Sequence, residues 1–379
     1  MTRKFLYIIV PASLVLVLLG LTRSIEYCGW DFHNSLWGPV NLLVQGRSPY
    51  TLNPPYGPYP GVWMPQTLGM FFWFGLLPCT VSAKLWLLVG ICGFIWMVWL
   101  FNDRQRVPLW IFTICLLALF LFPPLWFHTT LGQFSMLFAI LMLVIVYHPE
   151  ALPWVPLLLS IGLTKPQLGI LIYPGLLIYN WHQKGFRQAA WLFFSTVIST
   201  ASLTIPLFIF FPGWVKDFLF ITFDNLGKQW DLPTLFVQLP LILGQAGYAI
   251  WALVFLLALA TSLWFWYKKD NKTAMIVSLT LTPMVTPYAS SWDFMLLLPA
   301  FYWLILNIKL MRARVVLLVG TFLVYYFQYA VRWHRDIRDG SVWWVPPAMI
   351  FVYLISLLVE NAERLPSLRW YFKQKTGSV

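Results

Sequence analysis

Acidic side chains are scarce in this sequence. Thirteen Asp and Glu stand against 25 Lys and Arg, and only 10% of the 379 residues are charged. Soluble domains carry about 25% charged residues, so a soluble surface is excluded. No stretch is polar enough or long enough to form a separate soluble domain, and the chain reads as a single membrane domain over 1–379. The four cysteines, Cys28, Cys79, Cys92 and Cys115, show no CxxC spacing, and two lie inside apolar runs. They offer neither a disulfide framework nor a metal cluster. The chain has no P-loop, no GxGxxG after a strand and no HExxH. It also has no Asp-x-Asp pair of the kind suited to a metal-bound nucleotide sugar. No RNA- or DNA-binding module is present. The +12 formal charge is instead what Lys and Arg produce when they collect in cytoplasmic loops beside anionic headgroups.

What is present is apolar. Hydrophobic residues make up 60% of the chain. Runs such as LYIIVPASLVLVLLGL (6–21) do not alternate with polar residues, which argues against a β-barrel. Lipid cannot satisfy a bare backbone, so the spans are expected to be helices. Apolar runs fall near 5–22, 80–101, 109–126, 134–147, 152–164, 168–182, 189–211, 246–267, 273–286, 294–308, 314–331 and 342–359. This predicts an all-α polytopic membrane protein with roughly twelve transmembrane helices. The N-terminal run is long and lacks a small-x-small cleavage site, so it reads as an uncleaved first span. The runs after 134, 152, 168 and 273 are short, which suggests helices that border a cavity.

Loop charge sets the orientation. Sixteen of the 25 Lys and Arg fall in one alternating set of short loops, which places both termini in the cytoplasm. The loop 23–79 then faces outward, as do the breaks at 127–133, 165–167, 212–245, 287–293 and 332–341. Nine of the thirteen acids are Asp, and all of these but Asp103 and Asp270 fall on the outward side. Any chemistry is expected there. Within 23–79, Phe32, Leu36, Val40, Leu43 and Val44 recur at helical spacing and predict a short helix along the membrane interface. GRSPY (46–50) reads as a turn. NPPYGPYP (53–60) is too rich in proline for helix. The segment 61–78 is apolar but ends at Pro78, and is expected to dip into the membrane without crossing. The stretch 212–245 is a second large outer loop.

Four places could carry chemistry. Asp31 sits between Trp30 and Phe32. It is either a helix N-cap or a partly desolvated general base taking a proton from an acceptor hydroxyl. His33, two residues on, is expected to point elsewhere. Lys165, in GLTKPQLGI, lies between two short runs. It is either a snorkelling side chain or a cation for an anionic group such as phosphate. RWHRDIRDG (332–340) puts Arg332, Arg335 and Arg338 on the outward face. It is either a solvated loop with local ion pairs or a phosphate clamp; a metal site from His334, Asp336 and Asp339 is a weaker alternative. TTLGQFS and TPYASSWDFM supply Gln133 and Asp293 as hydrogen-bonding groups for a polyhydroxylated ligand. Trp30, Trp37, Trp63 and Trp292 could stack on sugar faces, or simply form interfacial belts.

In order, these pieces are a first span, an outward Asp-Phe, GRSPY, YGPYPGVWMP, Leu-Pro, LGQFSMLFAIL, GLTKPQLGIL and TPYASSWDF. Together they resemble glycosyltransferase family 87 of the GT-C superfamily, whose members are similar to polyprenol-phosphate-mannose-dependent mannosyltransferases. The resemblance covers about residues 30 to 300. It implies a GT-C-like bundle in a plasma membrane, with the long first outer loop carrying interfacial helices and the catalytic Asp. It implies inverting transfer of a sugar, mannose by analogy, from a polyprenyl-phosphate donor to a lipid-linked or glycan acceptor on the outer face. Membrane lipids are then the other partners; no nucleic acid, metal or cofactor is called for. Asp31 is the implied general base. Gly132 and Gln133, and Lys165 and Pro166, match the family's Gly-Gln and Lys-Pro. Tyr50 of GRSPY is an implied substrate contact. One departure is clear: the family often has His after its late Trp, as in Ser-Trp-x-His-His, whereas Asp293 and Phe294 follow Trp292 here. The rival from another class is a transporter or flippase for an anionic lipid or sugar. Transporters usually show two related halves with paired broken helices, whereas these polar breaks cluster on one face. A third reading, a glycan ligase or polymerase, usually has its large outer loop late in the chain.

Overall fold

A computed structural model describes residues 28–50, 63–105, 124, 128, 131–148, 153–226, 231–268, 270–334 and 339–362. The expected first span, the Pro-rich turn 53–60 and nearly all of 109–126 lie outside the described residues. Among the described residues the fold is entirely helical, with no strand. Five helices are long and apolar enough to cross a membrane: Cys79–Met97, Phe186–Phe210, Gln245–Lys268, Met311–Val331 and Asp339–Ala362. The 24 residues of Gln245–Lys268 reach roughly 36 Å at ~1.5 Å per residue, beyond the ~30 Å hydrocarbon core. These long helices leave large apolar side chains uncovered. Ile209 is 70% exposed, and Leu253, Leu257, Phe322 and Leu358 are also exposed. Only a lipid environment tolerates so much open apolar surface, and the chain is a membrane protein.

The short apolar runs behave differently. Ser135–Tyr147 has 13 residues, roughly 20 Å, too short to span the core. Phe138, Met142 and Leu143 on it are fully buried. It sits in the middle of the molecule, against Cys79–Gln105, Val155–Gly162, Asn271–Val285 and the 3-10 turn Ser291–Leu297. The runs 152–164 and 168–182 form Val155–Gly162 and Ile172–Lys184, with the 3-10 turn Pro166–Gly169 between them. The cause is local. Proline disfavours a helical conformation in the residue before it, and Lys165 takes φ −127°, ψ 80°. The helix therefore opens at Lys165. The segment expected to dip without crossing forms only Pro65–Met70 and the 3-10 turn Phe72–Leu76.

The expected helix after Asp31 forms, as Trp30–Phe32, a π turn His33–Trp37 and Gly38–Val44. Its stripe of Phe32, Leu36, Val40 and Leu43 is fully buried. That stripe covers protein, chiefly the turn Phe72–Leu76, where a purely interfacial helix would give it to lipid. Two side-chain bonds hold it there: Trp37 Nε1 donates to the Leu77 carbonyl at 3.0 Å, and Asn41 Nδ2 to the Gly75 carbonyl at 3.0 Å. Gly46, with φ +69°, ends the helix in the left-handed conformation that glycine adopts cheaply. GRSPY follows as a turn.

Candidate active site

The site is assembled from four separated pieces of chain. The first is the start of the Trp30–Phe32 helix. Gly29 occupies the N-cap position, and no side chain caps the helix. Asp31 therefore does not serve as the cap. Phe32 anchors the segment in an aromatic box, with ring centroids 5.7 Å from Phe74 and 5.8 Å from Trp86. His33 turns away: its Nδ1 meets Asn34 Oδ1 at 3.0 Å, and its ring lies 5.2 Å from that of Trp37.

The second piece is the turn before Ser135–Tyr147. The backbone N–H groups of Gly132 and Gln133 both donate to the His128 carbonyl, at 3.0 and 3.1 Å. Trp86 Nε1 donates to the Gly132 carbonyl at 2.9 Å. Gly132 has φ +70°, and a Cβ there would lie 2.5 Å from Phe32 Cβ. Glycine is needed twice over, for the left-handed backbone and for the approach of Phe32. The turn, clamped between Phe32 and Trp86, delivers Gln133 to Asp31.

The third piece is the helix break at Lys165, and the fourth is the turn Ser291–Leu297. Ser290 and Asp293 form a capping box, with the Ser290 N–H donating to Asp293 Oδ2 at 3.0 Å. The Ser291 N–H donates to Asp339 Oδ2 at 2.9 Å, which ties the end of the 332–340 segment to the same turn.

These pieces meet in one hydrogen-bonded chain. Gln133 Nε2 donates to Asp31 Oδ2. Lys165 Nζ donates to Gln133 Oε1 at 2.8 Å. The same ammonium pairs with Asp293 Oδ1 at 3.0 Å, which also accepts from Ser135 Oγ. Lys165 is buried, and Asp293 is 1% exposed. A buried charge is costly unless paired and hydrogen-bonded, and here the cation and its carboxylate satisfy one another. Lys165 is therefore not a side chain snorkelling to water.

Asp31 stands at the other end of the chain, half-buried. Burial pushes its carboxyl up to about 6 from an ordinary 3.8; the Lys165 ammonium pulls the other way, and Asp293 and Asp339 push it up further. The group can hold a proton and release one near neutral pH. Tyr288 is another neighbour. Burial, and then the charges of Asp293 and Asp31, push its hydroxyl above the usual range. Ser135, His128 and Tyr288 were not singled out from sequence. The first two flank the Gly-Gln turn, and the third precedes the Ser-x-x-Asp capping signature. Proximity to recognisable motifs was the only signal available.

The remaining candidates lie elsewhere or outside the described residues. Tyr50 is buried against Phe218, ring centroids 5.3 Å apart, and its hydroxyl has no hydrogen bond among the described residues. Neighbouring Ser48 donates to Asp217. Trp63 is buried between Trp86 and Phe134, 5.8 and 5.9 Å away, so it builds the core and has no free face for a sugar. Trp30 is 44% exposed, and Trp292 is half-buried beside Asp293. Arg332 falls in the last turns of the helix Met311–His334, with its side chain outside the described part. Arg335, Arg338 and Asp336 lie outside the described residues. Among the described residues, no group of three His, Cys, Asp or Glu is placed to hold a metal.

The model of glycosyltransferase family 87 matches residues 63–287. That is more than half of the chain. The chain belongs to glycosyltransferase family 87. Gln133 and Lys165 fall within the matched segment, and Asp31 and Asp293 flank it. No curated protein and no solved structure matches the chain. Family membership makes the protein a glycosyltransferase, with a sugar donor and an acceptor as its substrates.

Proposed function

We propose that this glycosyltransferase moves a sugar, mannose by family analogy, from a polyprenyl-phosphate donor to a lipid-linked or glycan acceptor on the outer face of the plasma membrane. The single observation that carries the reading is the chain Asp31–Gln133–Lys165–Asp293. Asp31 takes the proton of an acceptor hydroxyl as its oxygen attacks the anomeric carbon. A new C–O bond forms with inversion, the bond to the phosphate oxygen breaks, and polyprenyl phosphate departs with the electron pair. The raised carboxyl of Asp31 suits a base near neutral pH, since transfer is best when base and medium are matched. Gln133 donates to the carboxylate and fixes its orientation. Lys165, held by Asp293, supplies a preorganised cation for charge developing on the leaving phosphate.

Arg332, Arg335 and Arg338 complete the phosphate site in this reading. Its support is the bond from Ser291 to Asp339, which brings the end of that segment to within two residues of Asp293. Trp292, half-buried beside Asp293, is assigned to substrate contact; Tyr50, buried against Phe218, is assigned there on the family resemblance alone, and no cofactor or metal is invoked. The arrangement in the membrane is a GT-C-like bundle of roughly twelve spans in one domain, both termini cytoplasmic, with 23–79 and 212–245 as outer loops. It rests on the charge of the loops. The family match disfavours a transporter. The test is transfer by purified protein in nanodiscs from a radiolabelled polyprenyl-phosphate mannose to a membrane lipid extract. Wild type should transfer, and folded Asp31→Asn should not. Equal transfer by both would remove Asp31 from the role of base.

A further inference from the structure

His128 lies against the Gln133 turn and has no part in the chemistry above. Its backbone carbonyl accepts both N–H groups of the turn. Its side chain is 4% exposed, and Nδ1 makes no hydrogen bond among the described residues. A buried ring nitrogen left bare costs free energy. The imidazole lines a cavity of about 10 Å³ with Gly132, Gln133, Trp86 and Met136. That volume is about what one water molecule needs, and a buried water needs two to four polar partners. Beyond Trp86, whose Nε1 is already bonded, His128 and Gln133 are the lining residues with polar side chains.

We propose that His128 is a positioning residue: its Nδ1 binds one ordered water that braces the Gly132–Gln133 turn and so holds the Gln133 amide between Asp31 and Lys165. The imidazole is neutral in this role. Burial, then the nearby Lys165 ammonium, take it down to about 3, with Asp293 opposing. In the neutral ring Nδ1 either accepts from the water or donates to it, according to the tautomer, and the ring adds no charge beside Lys165.

The inference deepens the glycosyl-transfer reading and rests on it for its kinetic arm only. His128→Leu removes the polar wall. With the Gln133 amide loosened, the turnover number should fall about ten-fold, as small misplacements do, while the donor KM stays within about twofold. The Asp31 carboxyl should also titrate at higher pH, because it loses a hydrogen bond that favours its charged form. That titration is read by infrared difference against Asp31→Asn and needs no turnover. His128→Gln, which keeps a donor and an acceptor in the cavity, should restore both values. If His128→Leu does not fold, His128→Met against His128→Gln gives the same contrast. An unchanged Asp31 titration in the apolar variant would overturn the proposal. So would a raised donor KM at unchanged turnover, which would put the imidazole directly on substrate. If wild type transfers no sugar, the function reading falls while the infrared titration still decides this one.

Discussion

Two aspartates open helices in this protein and meet opposite fates. Asp31 is the second residue of the helix Trp30–Phe32 and caps nothing. Burial and two other carboxylates raise it to about 6, against the pull of Lys165. Asp270 is the N-cap of Asn271–Val285. Burial would raise it too, but it accepts from the Thr273 backbone and hydroxyl and the Lys272 backbone, and these bonds carry it below 3.8. The same side chain is a stabilising cap just before one helix and, inside the first turn of the other, a carboxyl that the proposed reading makes a base. Backbone N–H groups favour the charged form. A buried setting with few donors favours the neutral one. The difference lies in where the spare N–H groups go.

Exchanging charge for amide at the two positions should therefore separate function from stability. Asp31→Asn should lower transfer by about 10²–10⁴-fold, the usual contribution of a positioned base. Asp270→Asn, still a competent cap, should leave transfer as it is. Comparable losses in the two variants would show that Asp31 acts only through structure.

The next largest effect concerns the pair that sits beside Asp31. Lys165→Met strands Asp293 with the Ser290 N–H and Ser135 hydroxyl as its remaining donors among the described residues. Removing one partner of a buried pair costs ~3–5 kcal/mol. Thermal unfolding in detergent should register that loss. In Lys165→Met/Asp293→Leu most of the stability should return, because two apolar side chains can replace a buried pair, but transfer should not. A double variant that transfers sugar at the wild-type rate would remove the pair from the mechanism.

Gly132→Ala probes the link between these two places. The added methyl would meet Phe32 Cβ at 2.5 Å, an atom that no rotamer change can move. The left-handed backbone adds ~1–2 kcal/mol for a non-glycine residue. Either the Gln133 turn or the Asp31 helix must shift, and transfer should fall by about ten-fold or more. Wild-type transfer by Gly132→Ala would show that the approach of Phe32 and Gly132 does not set the position of Gln133.

Much of this was legible in the sequence because membrane insertion writes itself in composition. The long runs read directly as helices, and Pro166 marked the break that leaves Lys165 exposed to a partner. Asp31, Gln133, Lys165 and Asp293 were each conspicuous as polar residues at the ends of apolar runs. Their joining into one chain was not legible, since they lie up to 262 positions apart and nothing local encodes which ends converge. The fate of aromatic residues was equally hidden. Trp63 and Trp30 look alike in sequence, and only packing tells that one is core and the other open. His128 was invisible for the same reason: a lone histidine acquires meaning from the cavity it lines.

The smallest effect returns to the pair of aspartates and tests the sign of each. Asp270→Ala removes the cap, at ~1 kcal/mol, and should leave transfer unchanged. Because Asp270 titrates below 3.8 when folded, its stabilisation is present above that pH and is lost as pH falls through the folded value. The deficit of Asp270→Ala should therefore shrink in acid. Asp31 runs the other way. Folding raises it from 3.8 to about 6, so the folded state binds its proton more tightly. The resulting penalty is absent below 3.8, grows between 3.8 and about 6, and is full above that. Asp31→Asn escapes it, so the variant should gain stability relative to wild type as pH rises through this window. Unfolding midpoints measured from about pH 2 to about pH 7, which covers both windows, would give two difference curves. If both variants drift in the same direction, burial is not what distinguishes Asp31 from Asp270.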